Sequence, residues 1–155
     1  MKKLVDKRIV TNKHRASSFS VATLFLARDQ KGYNWLHQNS SVESRSSRYT
    51  NDLDRISKQP RMVSINSAIG IDLHGNIWAD SLAARRIYSG MGGAADFARG
   101  VTYRSNPGNW SIIAMKSTSS NGRSKVYDMC PKGITTTAIP SDQVVLVTEH
   151  GALAR

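Results

Sequence analysis

The sequence predicts an α/β fold, in which a mixed, open sheet is flanked by helices. Apolar runs of strand length outnumber helical segments, and helical segments fall between several of the runs. A glycine-rich loop at residues 90–93 leads directly into a helix-compatible run, a pattern typical of strand-to-helix turns. The sequence contains no internal repeat, and we expect a single domain over residues 1–155.

The first half of the chain is predicted to alternate short helices and strands. Residues 2–10 suit a helix, Ser20–Ala27 a buried strand and Tyr33–Gln38 another short helix. A further helix is predicted to begin near residue 50, because Thr50 or Asn51 can serve as its N-cap. The alternating residues of Met62–Ser67 then indicate a half-buried strand.

The second half is predicted to contain a hairpin, the helix after the glycine loop and several strands. Residues 74–76 suit a hairpin turn between strands at 69–73 and 77–79. A helix is predicted over residues 92–104. Four later strands are predicted at Trp110–Met115, Lys125–Met129, Ile134–Ala138 and Gln143–Thr148.

Composition excludes several classes of protein. With 155 residues and 39% hydrophobic content, the chain can form one modest core. No apolar run approaches the length of a membrane span, and the basic N-terminus lacks the apolar stretch of a signal peptide. The single Cys130 excludes an intrachain disulfide and a cysteine metal cluster. We therefore expect a cytoplasmic protein without a membrane or metal partner.

The net charge of +11 raises the question of a nucleic-acid partner. Apart from a cluster in residues 2–15, however, the basic side chains are scattered, and the aromatic residues form no RNA-binding motif. A solvated basic face explains the charge better. A second explanation is that acidic surface lies in a part of a longer protein that this sequence does not include.

The glycine loop is the strongest candidate for a site. Gly90, Gly92 and Gly93 tolerate positive φ and allow close approach to the backbone. The helix that follows presents N–H groups without intrahelical partners, which suit an anion or a developing oxyanion. Ser89, Asp96 or a loop glycine can cap this helix. The alternative is a tight turn without a ligand.

Several motifs in their order along the chain resemble the C-terminal domain of the acetyl-CoA hydrolase/transferase family, which are class I CoA-transferases. The blocks are SINSA at 64–68, SGMGGAADFARG at 89–100 and VTEHG at 147–151. The resemblance runs from about Val5 to Gly151. It implies the mixed open sheet of a CoA-transferase (NagB/RpiA-like) C-terminal domain, truncated at both ends relative to the family.

The resemblance also implies an activity. Family members are acetyl-CoA hydrolases or acyl-CoA:carboxylate CoA-transferases of acetate and acetyl-CoA metabolism. Their substrates are coenzyme A thioesters and small carboxylates such as acetate. A glutamate attacks the acyl-CoA, and the reaction passes through an anhydride and a glutamyl-CoA thioester. On this view the positive charge of the chain would steer the phosphates of coenzyme A.

Four residues match catalytic positions of the family. Gly92 and Gly93 match the loop whose backbone N–H helps to form an oxyanion hole, and Asn51 matches an asparagine that positions the site carboxylates. Glu149 matches a glutamate that supports the site without being the nucleophile. Each residue also has an alternative, purely structural role. The glycines can form a turn, Asn51 can cap a helix, and Glu149 can be a charge at the end of a strand.

The contacts to coenzyme A are expected at the glycine loop and at a polar loop. Gly90 and Gly93 belong to the first. Ser117 and Arg123 belong to the second, which could hold a phosphate or be a solvated surface loop.

No glutamate of this chain matches the family nucleophile. The chain has only Glu43 and Glu149, and the nucleophile of the family lies upstream of the segment that resembles residues 4–12. We therefore expect the isolated chain to lack acyl transfer. Its expected partners are a missing N-terminal domain or a second copy of the chain in a homo-oligomer. Two alternatives remain: a basic nucleic-acid-binding domain, and an inactive remnant that only pairs with an N-terminal partner chain.

Overall fold

A computed structural model describes residues 2–15, 17, 19–24, 27–83, 86–87, 89–104, 107–142 and 145–154. Its helices are α1 (Lys2–Asp6), α2 (Gln30–Leu36), α3 (Ser47–Thr50), α4 (Leu53–Ser57) and α5 (Ala94–Thr102), with a 3-10 turn at Pro140–Asp142. Its strands are β1 (Ser20–Ala22), β2 (Val42–Ser44), β3 (Val63–Asn66), β4 (Gly70–Asp72), β5 (Ile77–Trp78), β6 (Ser81–Ala83), β7 (Arg86–Ile87), β8 (Trp110–Ala114), β9 (Val126–Tyr127), β10 (Val145–Thr148) and β11 (Gly151–Ala154).

The largest sheet is four-stranded and mixed, which confirms the predicted fold class. Its order is β11-β10-β8-β3, with β3, β8 and β10 parallel and β11 antiparallel to β10. Parallel neighbours require a crossover connection, and α5 lies on the one between β3 and β8. Helix α5 packs against both of these strands, which places its N-terminus beside the sheet.

Small polar residues form the sheet surface beneath α5. Ser64 in β3 and Ser111 in β8 are paired in register and almost fully buried. The apolar neighbours of Ser64, by contrast, are exposed: Ile65 retains 69% of its accessible surface and Val63 retains 43%. The predicted strand is therefore confirmed, but its small side chains face inward, because α5 approaches the sheet closely there.

A three-stranded sheet of order β5-β4-β9 carries the predicted hairpin. Asp72 closes the turn, since its Oδ1 accepts hydrogen bonds from the backbone N–H groups of His74 and Asn76. Gly70 lies against the buried indole of Trp78, so that a Cβ at this position would come within 2.6 Å of Cε2. Ile77, Ile71 and Ile113 belong to one buried cluster that joins this sheet to the larger one.

Several predicted elements are shorter than expected or wrong. The buried strand expected at Ser20–Ala27 is only β1, with Leu24 72% exposed, while Phe25 and Leu26 lie outside the described residues. Residues 134–138 form no strand and contribute only an isolated bridge between Ala138 and Ile77. Asp52, rather than Thr50 or Asn51, caps α4, because its carboxylate accepts the N–H of Arg55.

Four strands were not predicted from the sequence: β2, β6, β7 and β11. Strands β6 and β7 pair with each other in an antiparallel arrangement. Strand β2 lies in a serine- and arginine-rich stretch and pairs with β1 in parallel. Strand β11 returns along β10 through the turn at Glu149 and His150. Within the described residues, no helix combines the length and apolar character needed to cross a bilayer.

Candidate active site

The glycine loop adopts the geometry predicted for it. Gly92 has φ +60°, in the left-handed region that disfavours other residues. Gly93 is the N-cap of α5, so the cap is a loop glycine, and neither Ser89 nor Asp96 supplies a side-chain cap. The first N–H groups of α5 therefore have no capping side chain and stay available to an anion.

Asn51 lies directly over Gly93. Its Nδ2 donates to Oδ2 of Asp96 at 3.0 Å, and its Oδ1 accepts from the hydroxyl of Thr50 at 2.7 Å. A Cβ on Gly93 would overlap this Nδ2 and would stand 3.3 Å from Asn51 Cγ. The side chain of Asn51 therefore does not cap α4 but joins the α3–α4 junction to the start of α5.

These residues line a groove of about 920 Å³, which we call the active-site groove. One wall is formed by residues 21–24 at the end of β1 and another by residues 47–48 and 50–52 around α3. Gly92, Gly93, Asp96 and Phe97 form the third side. The groove therefore combines an open helix N-terminus with an amide, carboxylates and the apolar ring of Phe97.

Glu149 is placed in the turn between β10 and β11, and both of its carboxylate oxygens accept hydrogen bonds from Ser117. Its Oε2 accepts the backbone N–H of Ser117 and its Oε1 accepts the Ser117 hydroxyl, both at 2.8 Å. These hydrogen bonds, that of the backbone N–H first, lower the pKa of Glu149 to about 2. Glu149 is not among the described residues that line the active-site groove, and it fixes the polar loop to the β10–β11 turn.

The polar loop that follows Ser117 closes on itself. A bridge joins Thr118 to Ser124, and the hydroxyl of Ser119 donates to the carbonyl of Arg123 at 2.9 Å. The residues of this loop from 120 to 124 are exposed, Arg123 among them. Gly90 is also exposed, and nothing lies within 4 Å of a Cβ built on it. The structure thus unites Asn51, Gly92 and Gly93 in the groove and places Ser117 with Glu149.

Asp96 and Thr50 are groove residues that sequence reasoning did not assign to the site. The signal for Asp96 was present, since it follows Gly93 by three residues in the helix that the loop begins. Its contact with Asn51 bridges 45 residues and has no local signature. Within the described residues, no group of three or more His, Cys, Asp or Glu side chains is arranged to hold a metal ion.

The fold places the chain among the C-terminal domains of CoA-transferases. RipA from Yersinia pestis superposes with a TM-score of 0.87 at 31% identity, covering 99% of this chain and 34% of that one. The 4-hydroxybutyrate CoA-transferase from Porphyromonas gingivalis superposes with a TM-score of 0.78 at 25% identity, covering 99% of this chain and 34% of that one.

The sequence comparisons agree with the structural ones. The chain belongs to the acetyl-CoA hydrolase/transferase C-terminal domain family, which it matches over residues 29–154. It is 33% identical over 150 residues to the 4-hydroxybutyrate coenzyme A transferase of Clostridium kluyveri, covering 96% of this chain and 34% of that protein. It is 34% identical over 131 residues to the butyryl-CoA:acetate CoA-transferase of Anaerostipes caccae, covering 82% of this chain and 29% of that protein.

The chain thus spans about a third of the length of the relatives it matches. The resemblance proposed from the SINSA, SGMGGAADFARG and VTEHG blocks is confirmed. A nucleic-acid-binding domain finds no support, because these relatives are CoA-transferases.

Proposed function

We propose that this chain is the C-terminal part of an acyl-CoA:carboxylate CoA-transferase and that the active-site groove receives the thioester end of an acyl-CoA. The observation that carries the proposal is the uncapped N-terminus of α5 in a groove where Asn51 packs on Gly93. The activities of the relatives, transfer of coenzyme A between acyl-CoA and carboxylates, supply the class of substrate.

The start of α5 is the place for the thioester oxygen. Attack on a thioester carbonyl moves negative charge onto that oxygen, and preorganised N–H donors stabilise the charge as it develops. Gly92 leaves the backbone uncovered at this point, whereas Gly93 cannot carry a side chain without displacing the Asn51 amide. The positive end of the helix dipole adds to the same stabilisation.

Asn51 acts as a positioning residue for a carboxylate. Its amide holds Oδ2 of Asp96, while the Thr50 hydroxyl fixes the other end of the amide. A carboxylate held in this way keeps one orientation while acyl groups exchange at the helix N-terminus. Glu149 acts at longer range, because its two hydrogen bonds hold Ser117 and the loop that begins there.

Neither glutamate of the chain is placed to attack the thioester. Both oxygens of Glu149 accept hydrogen bonds, and its lowered pKa reflects a carboxylate with reduced basicity. Glu43 forms an ion pair with Arg45, and its Oε2 is buried without a hydrogen-bond partner. We therefore assign the nucleophile to a glutamate outside these 155 residues, on an N-terminal domain or a partner chain.

Two consequences follow for the isolated chain. It binds acyl-CoA through the groove, and it does not transfer the acyl group. Whether the complete protein acts as transferase or as acetyl-CoA hydrolase depends on how well the added part excludes water from the thioester. A cytoplasmic role in acetate and acetyl-CoA metabolism fits these substrates.

Calorimetric titration with acetyl-CoA tests the proposal. We expect saturable binding that is weakened about tenfold in Asn51→Ala, since the groove loses the amide that orders it. The matched control is Asn34→Ala, which removes the same amide from the exposed surface of α2 and should leave binding unchanged. A folded chain that does not bind acetyl-CoA, or that is weakened equally by both variants, would refute the groove assignment.

The missing nucleophile is tested separately with acetyl-CoA and butyrate. The wild-type chain should form no more butyryl-CoA than a Gly93→Ala/Glu149→Gln double variant. Turnover above that background would show that the chain carries its own nucleophile.

A further inference from the structure

A second groove, of about 790 Å³, lies beside the active-site groove, and we call it the basic groove. Five basic side chains line it: His14, Arg15, Arg55, Lys58 and Arg61. None of the described residues that line it is an aspartate or a glutamate. The scattered positive charge of the sequence is therefore concentrated here by the fold, because residues 14–15 and 55–61 come together in space.

The three arginines of this groove are not neutralised by a carboxylate of the described residues. Arg15, Arg55 and Arg61 are exposed, and none of them forms an ion pair with a described residue. Lys58, in contrast, pairs with Asp54 across one turn of α4. The guanidinium groups of the three arginines thus remain available to an anionic ligand.

Arg55 is held in place within the basic groove. Its guanidinium carbon lies 4.0 Å from the centroid of the Tyr49 ring, which also lines the groove. Stacking of this kind leaves the N–H donors of the guanidinium plane free to form paired hydrogen bonds with phosphate oxygens. A positioned arginine binds a phosphate with less loss of side-chain entropy than a mobile one.

The two grooves adjoin, because Val21, Thr50 and Phe97 line both. A ligand can therefore extend from the uncapped helix N-terminus into the basic groove. The volume of the basic groove suits a ligand of nucleotide size, since small-molecule sites commonly measure roughly 300–1,000 Å³.

We propose that the basic groove binds the phosphate groups of a nucleotide bearing two or more phosphates. Two sources of this chemistry exist: the nucleotide end of an acyl-CoA whose thioester occupies the active-site groove, and a free nucleotide. Only the first source rests on the proposed function, and the test separates the two.

The test is a calorimetric titration with adenosine 3′,5′-bisphosphate at two salt concentrations. We expect saturable binding that weakens with added salt and falls by about tenfold or more in Arg55→Gln/Arg61→Gln. The matched control is Arg28→Gln/Lys132→Gln, which removes two exposed positive charges outside both grooves and should change affinity by less than about twofold. A folded chain without binding, or an equal loss in both variants, would overturn the proposal.

Two further ligands identify the source and keep this test apart from that of the proposed function. S-Acetylpantetheine carries the thioester without the nucleotide, and acetyl-CoA carries both. If acetyl-CoA binds more tightly than either fragment and loses affinity in Arg55→Gln/Arg61→Gln, the basic groove holds its nucleotide end. A different outcome is that the bisphosphate binds, S-acetylpantetheine does not, and acetyl-CoA binds no more tightly than the bisphosphate. The basic groove then serves a free nucleotide, and the proposed function fails while the basic-groove proposal stands. If S-acetylpantetheine binds and the bisphosphate does not, the basic-groove proposal fails alone.

Discussion

Replacement of Gly93 by alanine perturbs the centre of the active-site groove through one methyl group. The new Cβ would overlap Asn51 Nδ2 by about 1 Å relative to an ordinary contact distance of about 3.5 Å. The backbone of Gly93 has φ −93°, which alanine can adopt, so the overlap is the main source of strain. The Asn51 amide must therefore move away from Asp96.

The magnitude follows from the bonds that this movement breaks. A shift of about 1 Å takes the Asn51–Asp96 hydrogen bond of 3.0 Å beyond hydrogen-bonding distance, at a cost of about 1–2 kcal/mol for a half-buried, charge-assisted bond. Alanine is also a poorer N-cap than glycine, which adds about 0.5 kcal/mol. We expect Gly93→Ala to lower the free energy of unfolding by about 2 kcal/mol, or about 5 °C in Tm for a chain of this size.

A double-mutant cycle with Asn51→Ala measures the overlap directly. Once the amide is removed, only the capping cost of Gly93→Ala should remain, so the second substitution should cost about 0.5 kcal/mol in urea denaturation. The expected coupling energy is about 1.5 kcal/mol. Equal costs of Gly93→Ala in the two backgrounds would refute the packing of Asn51 on Gly93.

Three further changes test the fold around the site. Glu149→Gln should reduce the acid sensitivity of the fold, because folding lowers the pKa of this carboxyl from 4.5 to about 2. The stabilisation from Glu149 is fully present above pH 4.5 and is lost as the pH falls toward 2, so the Tm values of wild type and variant should converge there. Gly100→Ala should cost about 1–3 kcal/mol in urea denaturation, because its Cβ would stand 2.6 Å from Cγ2 of the buried Ile56. Asp142→Asn should cost about 1–2 kcal/mol, since the buried carboxylate accepts two hydrogen bonds from Arg99.

Each of these changes has a control in the same chain. Ser117→Ala removes one of the two hydrogen bonds of Glu149, so its Tm-against-pH curve should lie between those of wild type and Glu149→Gln. Gly90→Ala meets open space and should alter the unfolding free energy by less than about 0.5 kcal/mol. Lys58→Gln breaks an exposed ion pair and should cost no more than about 0.5 kcal/mol. A control as costly as its partner variant would contradict the contact in question.

The elements that the sequence predicts well are those with a local physical cause. The hairpin follows from a turn that Asp72 closes with its own neighbours, and helix α5 follows from the glycine loop before it. Strands β3, β8 and β10 were predicted because β-branched residues cluster within short windows. The proposed position of the site at the glycine loop rests on the same kind of local signal.

Several of the parts that sequence reasoning missed are defined by their pairing partners rather than by their own residues. Strand β11 is short and rich in alanine, and its pairing with β10 defines it as a strand. The strand predicted from Ser20 was expected to continue through residues 23–24. Strand β1 instead ends at Ala22, because its pairing with β2 ends there. The Asn51–Asp96 contact and the basic groove each join segments about 40 residues apart or more, so neither has a local pattern that would reveal it.

The most direct test of the account is to map acetyl-CoA onto the chain by amide chemical shifts in NMR spectra. The account predicts that the largest shifts occur at Gly92, Gly93 and the first turn of α5, with the Asn51 side-chain amide among them. These shifts should vanish in Gly93→Ala and persist in Asn34→Ala. Saturable shifts confined to other surfaces of the folded chain, with the start of α5 unmoved, would contradict the claim that this helix N-terminus receives the thioester.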